Sequence, residues 1–420
     1  MYHKEILANG LRVITAPMPH TRSVSIGFFI GAGSRYESNK EAGISHFIEH
    51  LCFKGTTDRP SAAEVCTVIE GVGGMINAGT DKELTIYWCK VASPHFRAAL
   101  EVMVDMLLNS LFDPGEIEKE RQVIMEEINM SIDSPSQRVA LLIDEILWPG
   151  HPLGRDIAGS KESVLGIDRE MLLDYMDRRY RPDNTVLVVA GDIRHRDVVA
   201  AIRKSTSGWE EEKTDTGFLK YRGTVQRRVV MENRDTEQVQ LCLALPGLSL
   251  VHPDRFKLDL LNVILGEGMT SRLFTEIRDN LGLAYSVHSY TEHFLDTGAI
   301  TIAAGVDTKK LKVAVRAILA ELARFKEITS GDELAKAKEL YKGRILLRME
   351  DSRNVAGWIG GQEILTGKIL SVDEVIEAVD ATTCEEIQQV AEEIFTADKL
   401  RLAVVGPVSP DESLEELLEL

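Results

Sequence analysis

Apolar positions follow two periods along this chain. Ile44, Phe47, Ile48 and Leu51 fall at i, i+3, i+4 and i+7, the stripe of a helix packed on a core. Shorter apolar blocks with β-branched residues read as strands. Residues 11–14 and 23–29 form one such pair, and residues 228–231 and 238–243 form another about 215 residues later. Residues 185–192 make a further strand that ends on a glycine, and 400–407 are its counterpart. Starts and ends keep nearly one offset, so the chain reads as a duplicated α/β unit. The expected fold class is α+β: two related α/β domains, each a mostly antiparallel sheet packed with helices. The polar, aperiodic stretch 205–223 is the expected linker, which gives a first domain over 1–204 and a second over 224–420.

The polar face of the first helix carries candidate chemistry. His46, Glu49 and His50 use the same helical spacing, so their side chains project to one side. Two imidazoles one turn apart can hold one metal ion through neutral nitrogens. The carboxylate between them is placed to take a proton from a water at that metal. H-x-x-E-H is the reverse of the H-E-x-x-H pattern and is the inverzincin signature. The same spacing also fits two solvated histidines on a surface helix, and a third ligand would decide between the readings.

Residues 118–128 supply candidates for it. Glu120 and Glu127 are seven apart and share a helix face, with Val123 and Ile124 between them on that face. Both carboxylates are therefore expected to point inward, with Glu126 offset and solvated. A buried carboxylate is costly unless paired or metal-bound. The competing reading is an ordinary charged helix with a ragged apolar stripe. The duplication weighs against the bland readings. Its offset maps His46, Glu49 and His50 onto Leu261, Ile264 and Leu265, and Glu127 near Lys342. A unit that packs with leucines at these positions does not need histidines there for its core.

Two more stretches bear on substrate. Residues 73–80 and 83–88 read as a hairpin near the metal helix. An exposed strand edge can pair with an extended peptide, although a plain sheet edge has the same pattern. In the second half, residues 266–286 read as a helix flanked by glycines and followed by a strand. Arg278 and Tyr285 come close together around the turn, where both can bond peptide carbonyls. Spacing alone favours reading them as surface residues.

Composition narrows the class. At 420 residues, with 44% hydrophobic and 27% charged side chains, the chain resembles a soluble globular protein of several domains. No apolar run approaches membrane-spanning length. The first residues carry neither an apolar signal segment nor an Arg-rich presequence, so the expected location is the cytoplasm. Cys52, Cys66, Cys89, Cys242 and Cys384 are scattered, odd in number and without C-x-x-C spacing, which argues against a disulfide framework or a thiolate zinc site. A net charge of −18 argues against nucleic acid and anionic membranes as partners. It suits a basic substrate, and it also serves solubility alone.

These stretches resemble the M16 (pitrilysin/inverzincin) metallopeptidases, in particular short bacterial members similar to the mitochondrial processing peptidase β subunit. The matching residues are 31–37, 46–50, 53–56, 73–78, 120–127, 151–154, 272–274 and 282–286. The resemblance implies His46, His50 and Glu127 as ligands of one zinc ion per chain. It implies Glu49 as the catalytic base and Glu120 as a second catalytic carboxylate that supports the site. Asn77 and Ala78 would lie on the strand that receives substrate, and Arg278 and Tyr285 would help to bind it near the zinc. Family members form two bowl-like halves that enclose a chamber, a clamshell of which this chain is long enough for one half. The implied assembly is a homodimer, and the implied substrates are unfolded or short peptides. A structural subunit without catalysis, like the core proteins of respiratory complexes, and a weakly active peptide-binding chamber are the other readings. Intact His46, Glu49, His50 and Glu127 argue against the first of these.

Overall fold

The apolar blocks form strands and the helical stripes form helices in the computed structural model, which describes residues 2–210, 217–223, 227–327, 329–409 and 413–420. Residues 211–216 of the expected linker and 224–226 of the expected second domain lie outside the described residues.

The chain divides into two compact units. The first comprises Met1–Asn129, Arg155–Leu219 and Leu347–Ile369. Its sheet contains β1 (His3–Ile6), β2 (Arg12–Pro17), β3 (Ser23–Ile30), β4 (Met75–Thr80), β5 (Thr85–Ala92) and β6 (Thr185–Gly191), in the order β1-β2-β6-β3-β5-β4. Only β2 and β6 run parallel. β3 and β6 are buried on both faces; β6 reads accordingly as a continuous apolar block, while Ser25 and Gly27 interrupt β3. β4 is an edge strand, paired with β5 from Met75↔Lys90 to Thr80↔Thr85.

One face of this sheet is covered by a helix from the second half of the sequence, Ser352–Thr366. Its Ala356 and Ile359 pack on Ile14, Phe29, Val186 and Val188. The approach is so close that a Cβ at Gly360 would lie 2.1 Å from the Phe29 ring, so a side chain there would force the ring or the helix to shift. Asp351 caps the helix N-terminus and also pairs with Lys90 at 2.5 Å.

The second unit comprises Met130–Gly154, Lys220–Leu346 and Leu370–Leu420. Its sheet contains β7 (Val229–Asn233), β8 (Gln238–Pro246), β9 (Ala284–His293), β10 (Gly298–Asp307) and β11 (Arg401–Gly406), in the order β7-β11-β8-β10-β9. The order β2-β6-β3-β5-β4 of the first sheet is thus repeated, including the one parallel pair, β7 with β11. Here the covering helix comes from the first half of the sequence. Pro135–Leu147 buries Val139, Leu142, Ile143 and Ile146 against Cys242, Ala244, Ala403 and Val405.

The compact units therefore differ from the domains expected over 1–204 and 224–420. The cut at Leu219 and Lys220 falls inside the 205–223 stretch, but residues 130–154 and 347–369 each belong with the other half. Local sequence does not mark this exchange. The helix Pro135–Leu147 has an ordinary amphipathic pattern, and tertiary packing alone decides which sheet it covers. Ser134 is the N-cap of this helix and Pro135 its first residue, where the missing N–H is no loss. Among the described residues, no helix is long and apolar enough to cross a membrane.

Candidate active site

The helix Ile44–Cys52 places the site. Its stripe of Ile44, Phe47, Ile48 and Leu51 is buried, which fixes its rotation and turns His46, Glu49 and His50 to the opposite side. Its start is fixed by a carboxylate six residues before Gly43. Gly43, with φ +93°, offers no capping side chain, and Glu37 instead accepts from the N–H groups of Gly43 at 2.8 Å and Ser45 at 2.9 Å. Burial pushes the Glu37 carboxyl up to about 7.

The helix Pro114–Asp133 brings the carboxylates. Nε2 of His46 and Nε2 of His50 lie 3.3 Å apart, and each is 3.6 Å from Oε2 of Glu127. Zinc bonds of about 2.0–2.1 Å place the corners of a tetrahedron roughly 3.3–3.4 Å apart. The triangle matches that size within a few tenths of an ångström, and its donors are of the types zinc takes. The residues present fit the ion. Among the described residues, this is the one group of three potential metal ligands that comes together.

Burial, and then the neighbouring His50, hold His46 down to about 4, so its ring is neutral at physiological pH, as a ligand must be. Its Nδ1 is buried without a hydrogen-bond partner. His50 is oriented by its other nitrogen: Nδ1 lies 3.0 Å from Oε2 of Glu120. A carboxylate accepting from Nδ1–H keeps the proton on Nδ1 and leaves Nε2 as the lone-pair atom. Glu120 is buried, as expected, and its second oxygen pairs with Lys54 at 2.7 Å.

The inward reading of the whole helix face needs correction. Ile124 is fully buried, but Val123 is 43% exposed and the Glu127 side chain 41% exposed. Positions 123 and 124 flank the Glu120–Glu127 line on opposite sides, and only one side faces the interior. Glu126 is exposed as expected.

Glu49 stands beside the triangle. Thr80, the last residue of β4, donates its hydroxyl to Oε2 of Glu49 at 2.6 Å. Burial raises the Glu49 carboxyl above its ordinary range, against the opposing effects of Thr80 and His50. A raised carboxyl suits a group that must take and return a proton near neutrality. Asn77 and Ala78 lie on the edge strand β4, and the Asn77 side-chain oxygen accepts from the Ala78 N–H at 2.8 Å.

Arg278 and Tyr285 belong to the second unit. Arg278 lies in the wide-turned π-helix Phe274–Asn280, and Tyr285 is near the start of β9. The guanidinium carbon sits 5.2 Å from the Tyr285 ring centre and 4.6 Å from that of Phe274. Tyr285 is 77% exposed. The two lie together around the turn, as their spacing predicts. Leu261, Ile264 and Leu265 are buried on the helix Arg255–Gly266, the second unit's counterpart of the metal helix.

Sequence reasoning assigned no role to Glu37, Lys54 or Thr80. Lys54 had only a weak signal: it stands four residues after His50, but the helix ends at Cys52 and Lys54 lies in the loop beyond it. Thr80 acts on Glu49 from 31 residues away, and Glu37 caps the helix from six residues before Gly43 through a turn that has no periodic signal.

The family profile described as "Insulinase (Peptidase family M16)" matches residues 12–161, and that described as "Peptidase M16 inactive domain" matches residues 166–341. The latter span holds Leu261, Ile264 and Leu265. A Bacillus subtilis protein named uncharacterized zinc protease YmxG is 37% identical over 95% of this chain and 97% of its own length. An uncharacterized zinc protease of Rickettsia felis is 34% identical over 96% of each chain. A Helicobacter pylori protease shares the fold with a TM-score of 0.90 at 22% identity, covering 97% of this chain and 99% of that one. A chain of complex III2 from Candida albicans does so with a TM-score of 0.84 at 18% identity, covering all of both. Matches of this extent and identity, over both units and the metal helix, assign the chain to peptidase family M16.

Proposed function

We propose that this chain is a zinc-dependent endopeptidase of the inverted H-x-x-E-H type that cleaves unfolded or short peptides. One observation carries the reading: His46, His50 and Glu127 form a triangle of zinc-site dimensions with the Glu49 carboxylate beside it. Zinc held there would supply Lewis acidity toward a water and toward a peptide carbonyl. Glu49 takes the proton that the attacking water loses and returns it to the leaving amine. Thr80 holds Oε2 of Glu49, which leaves Oε1 for the proton. The edge of β4, with Asn77 and Ala78, can bind an extended peptide by strand addition.

The working form is a homodimer whose two copies enclose a chamber. Arg278 and Tyr285 of one copy would then serve the zinc of the other, Arg278 binding substrate and the Tyr285 hydroxyl donating to the developing oxyanion. The acidic chain favours peptides carrying Lys or Arg, with rates that fall as salt rises.

The test is cleavage of an unstructured peptide by purified protein before and after metal removal. Chelation should abolish cleavage, and added zinc should restore it. Undiminished cleavage by protein proven metal-free sinks the reading.

A further inference from the structure

The loop after the metal helix is built to place one cation. Lys54 puts Nζ 2.7 Å from Oε1 of Glu120, whose other oxygen, Oε2, lies 3.0 Å from His50 Nδ1. The Glu120 side chain is 6% exposed and that of Lys54 is 30% exposed, so the pair sits at the inner boundary of the site. The backbone carrying Lys54 is held on several sides. The Thr56 hydroxyl donates to Oδ2 of Asp105 at 2.6 Å, and the Arg59 guanidinium pairs with the same oxygen. The Gly55 carbonyl accepts from Leu111 N–H at 3.1 Å. Gly55 itself, with φ +135°, runs so near the Pro60 carbonyl that a Cβ would meet it at 2.6 Å. A loop fixed this tightly delivers the Lys54 ammonium to one place.

That place matters because a carboxylate's terminal torsion is soft. One hydrogen bond at Oε2 would leave Glu120 free to swing, and the His50 ring with it. A second anchor on Oε1 removes that freedom. We propose that Lys54 is a positioning residue of the metal site: it anchors Oε1 of Glu120, so that Oε2 holds His50 with Nε2 turned toward His46 and Glu127. The inference rests on the zinc reading above and extends it from the ligands to the cation behind them.

The readout is zinc affinity, measured on the purified chain by competition with a chromophoric chelator. Lys54→Met keeps the length of the side chain and removes its charge. Affinity should fall about 10- to 100-fold, the usual effect of losing a partner behind a ligand. Lys54→Arg restores a cationic donor and should stay within roughly threefold of wild type. Glu120→Gln should weaken binding by itself, and Lys54→Met added to it should cost little more, because Lys54 acts through Glu120. Additive losses in the double variant, or no rescue by arginine together with a lower melting temperature of the metal-free chain, mean a packing role and overturn the proposal. Lys54→Met binding zinc as tightly as wild type overturns it alone. A wild-type chain that takes up no zinc overturns it together with the functional reading.

Discussion

At the scale of single residues, the helical spacing made His46, Glu49 and His50 legible, because any helix puts them on one side. It did not separate Glu120 from Glu127. Both lie on one face, and only the fold gives them different work: Oε2 of Glu127 faces both Nε2 atoms, while Oε2 of Glu120 faces Nδ1 of His50. The two carboxylates should therefore respond differently to substitution. Wild type should carry about one zinc per chain, and His46→Ala or Glu127→Ala should remove most of it, since each deletes one of three ligands. Glu120→Gln should weaken zinc binding without abolishing it, because it loses the anchor behind a ligand and no ligand itself. Metal analysis after dialysis distinguishes these outcomes. Equal zinc in wild type, His46→Ala and Glu127→Ala contradicts the ligand assignment.

At the scale of elements, the sequence predicted the metal helix and the duplicated strands well, because both have strong local periods. What it could not predict was contact across the chain. The hold of Thr80 on Glu49 is such a contact, and so is the exchange of helices 135–147 and 352–366 between the units. Glu37→Ala would leave two N–H groups at the start of the metal helix without their acceptor, at a cost of about 1–3 kcal/mol. It should lower the melting temperature of the metal-free chain and weaken zinc binding. Glu37 also predicts a pH dependence. A carboxyl ordinarily titrates near 4.5, and burial pushes this one up to about 7. Between those values the folded chain holds a proton that the unfolded chain has released. The stability linked to this group is therefore full below about 4.5 and is lost as pH rises through 7. Glu37→Gln stays neutral throughout, so its melting temperature should rise relative to that of wild type between about pH 5 and pH 8. A constant difference over that range contradicts the assignment.

At the scale of the whole molecule, His46, His50 and Glu127, the proposed zinc ligands, lie in one unit and Arg278 with Tyr285 in the other. The proposed homodimer makes a testable claim about which copy completes each site. Glu49→Gln and Arg278→Ala should each be nearly inactive alone. If the pair acts in trans, a mixed dimer has one site with both lesions and one with neither. Random exchange in an equal mixture makes about half the dimers mixed, so activity should return to about a quarter of wild type. Mixed dimers that form yet stay as inactive as their parents exclude the shared site. The family was readable from the spread of its motifs along the chain, but whether the site turns over is a separate question. The most direct measurement takes zinc content and peptide cleavage on the same preparations of wild type and Glu49→Gln. The account predicts equal zinc in both and cleavage of an unstructured peptide that falls roughly 100-fold or more in Glu49→Gln, the usual worth of a positioned base. Near-equal cleavage by the two, with contaminating protease excluded, would contradict it.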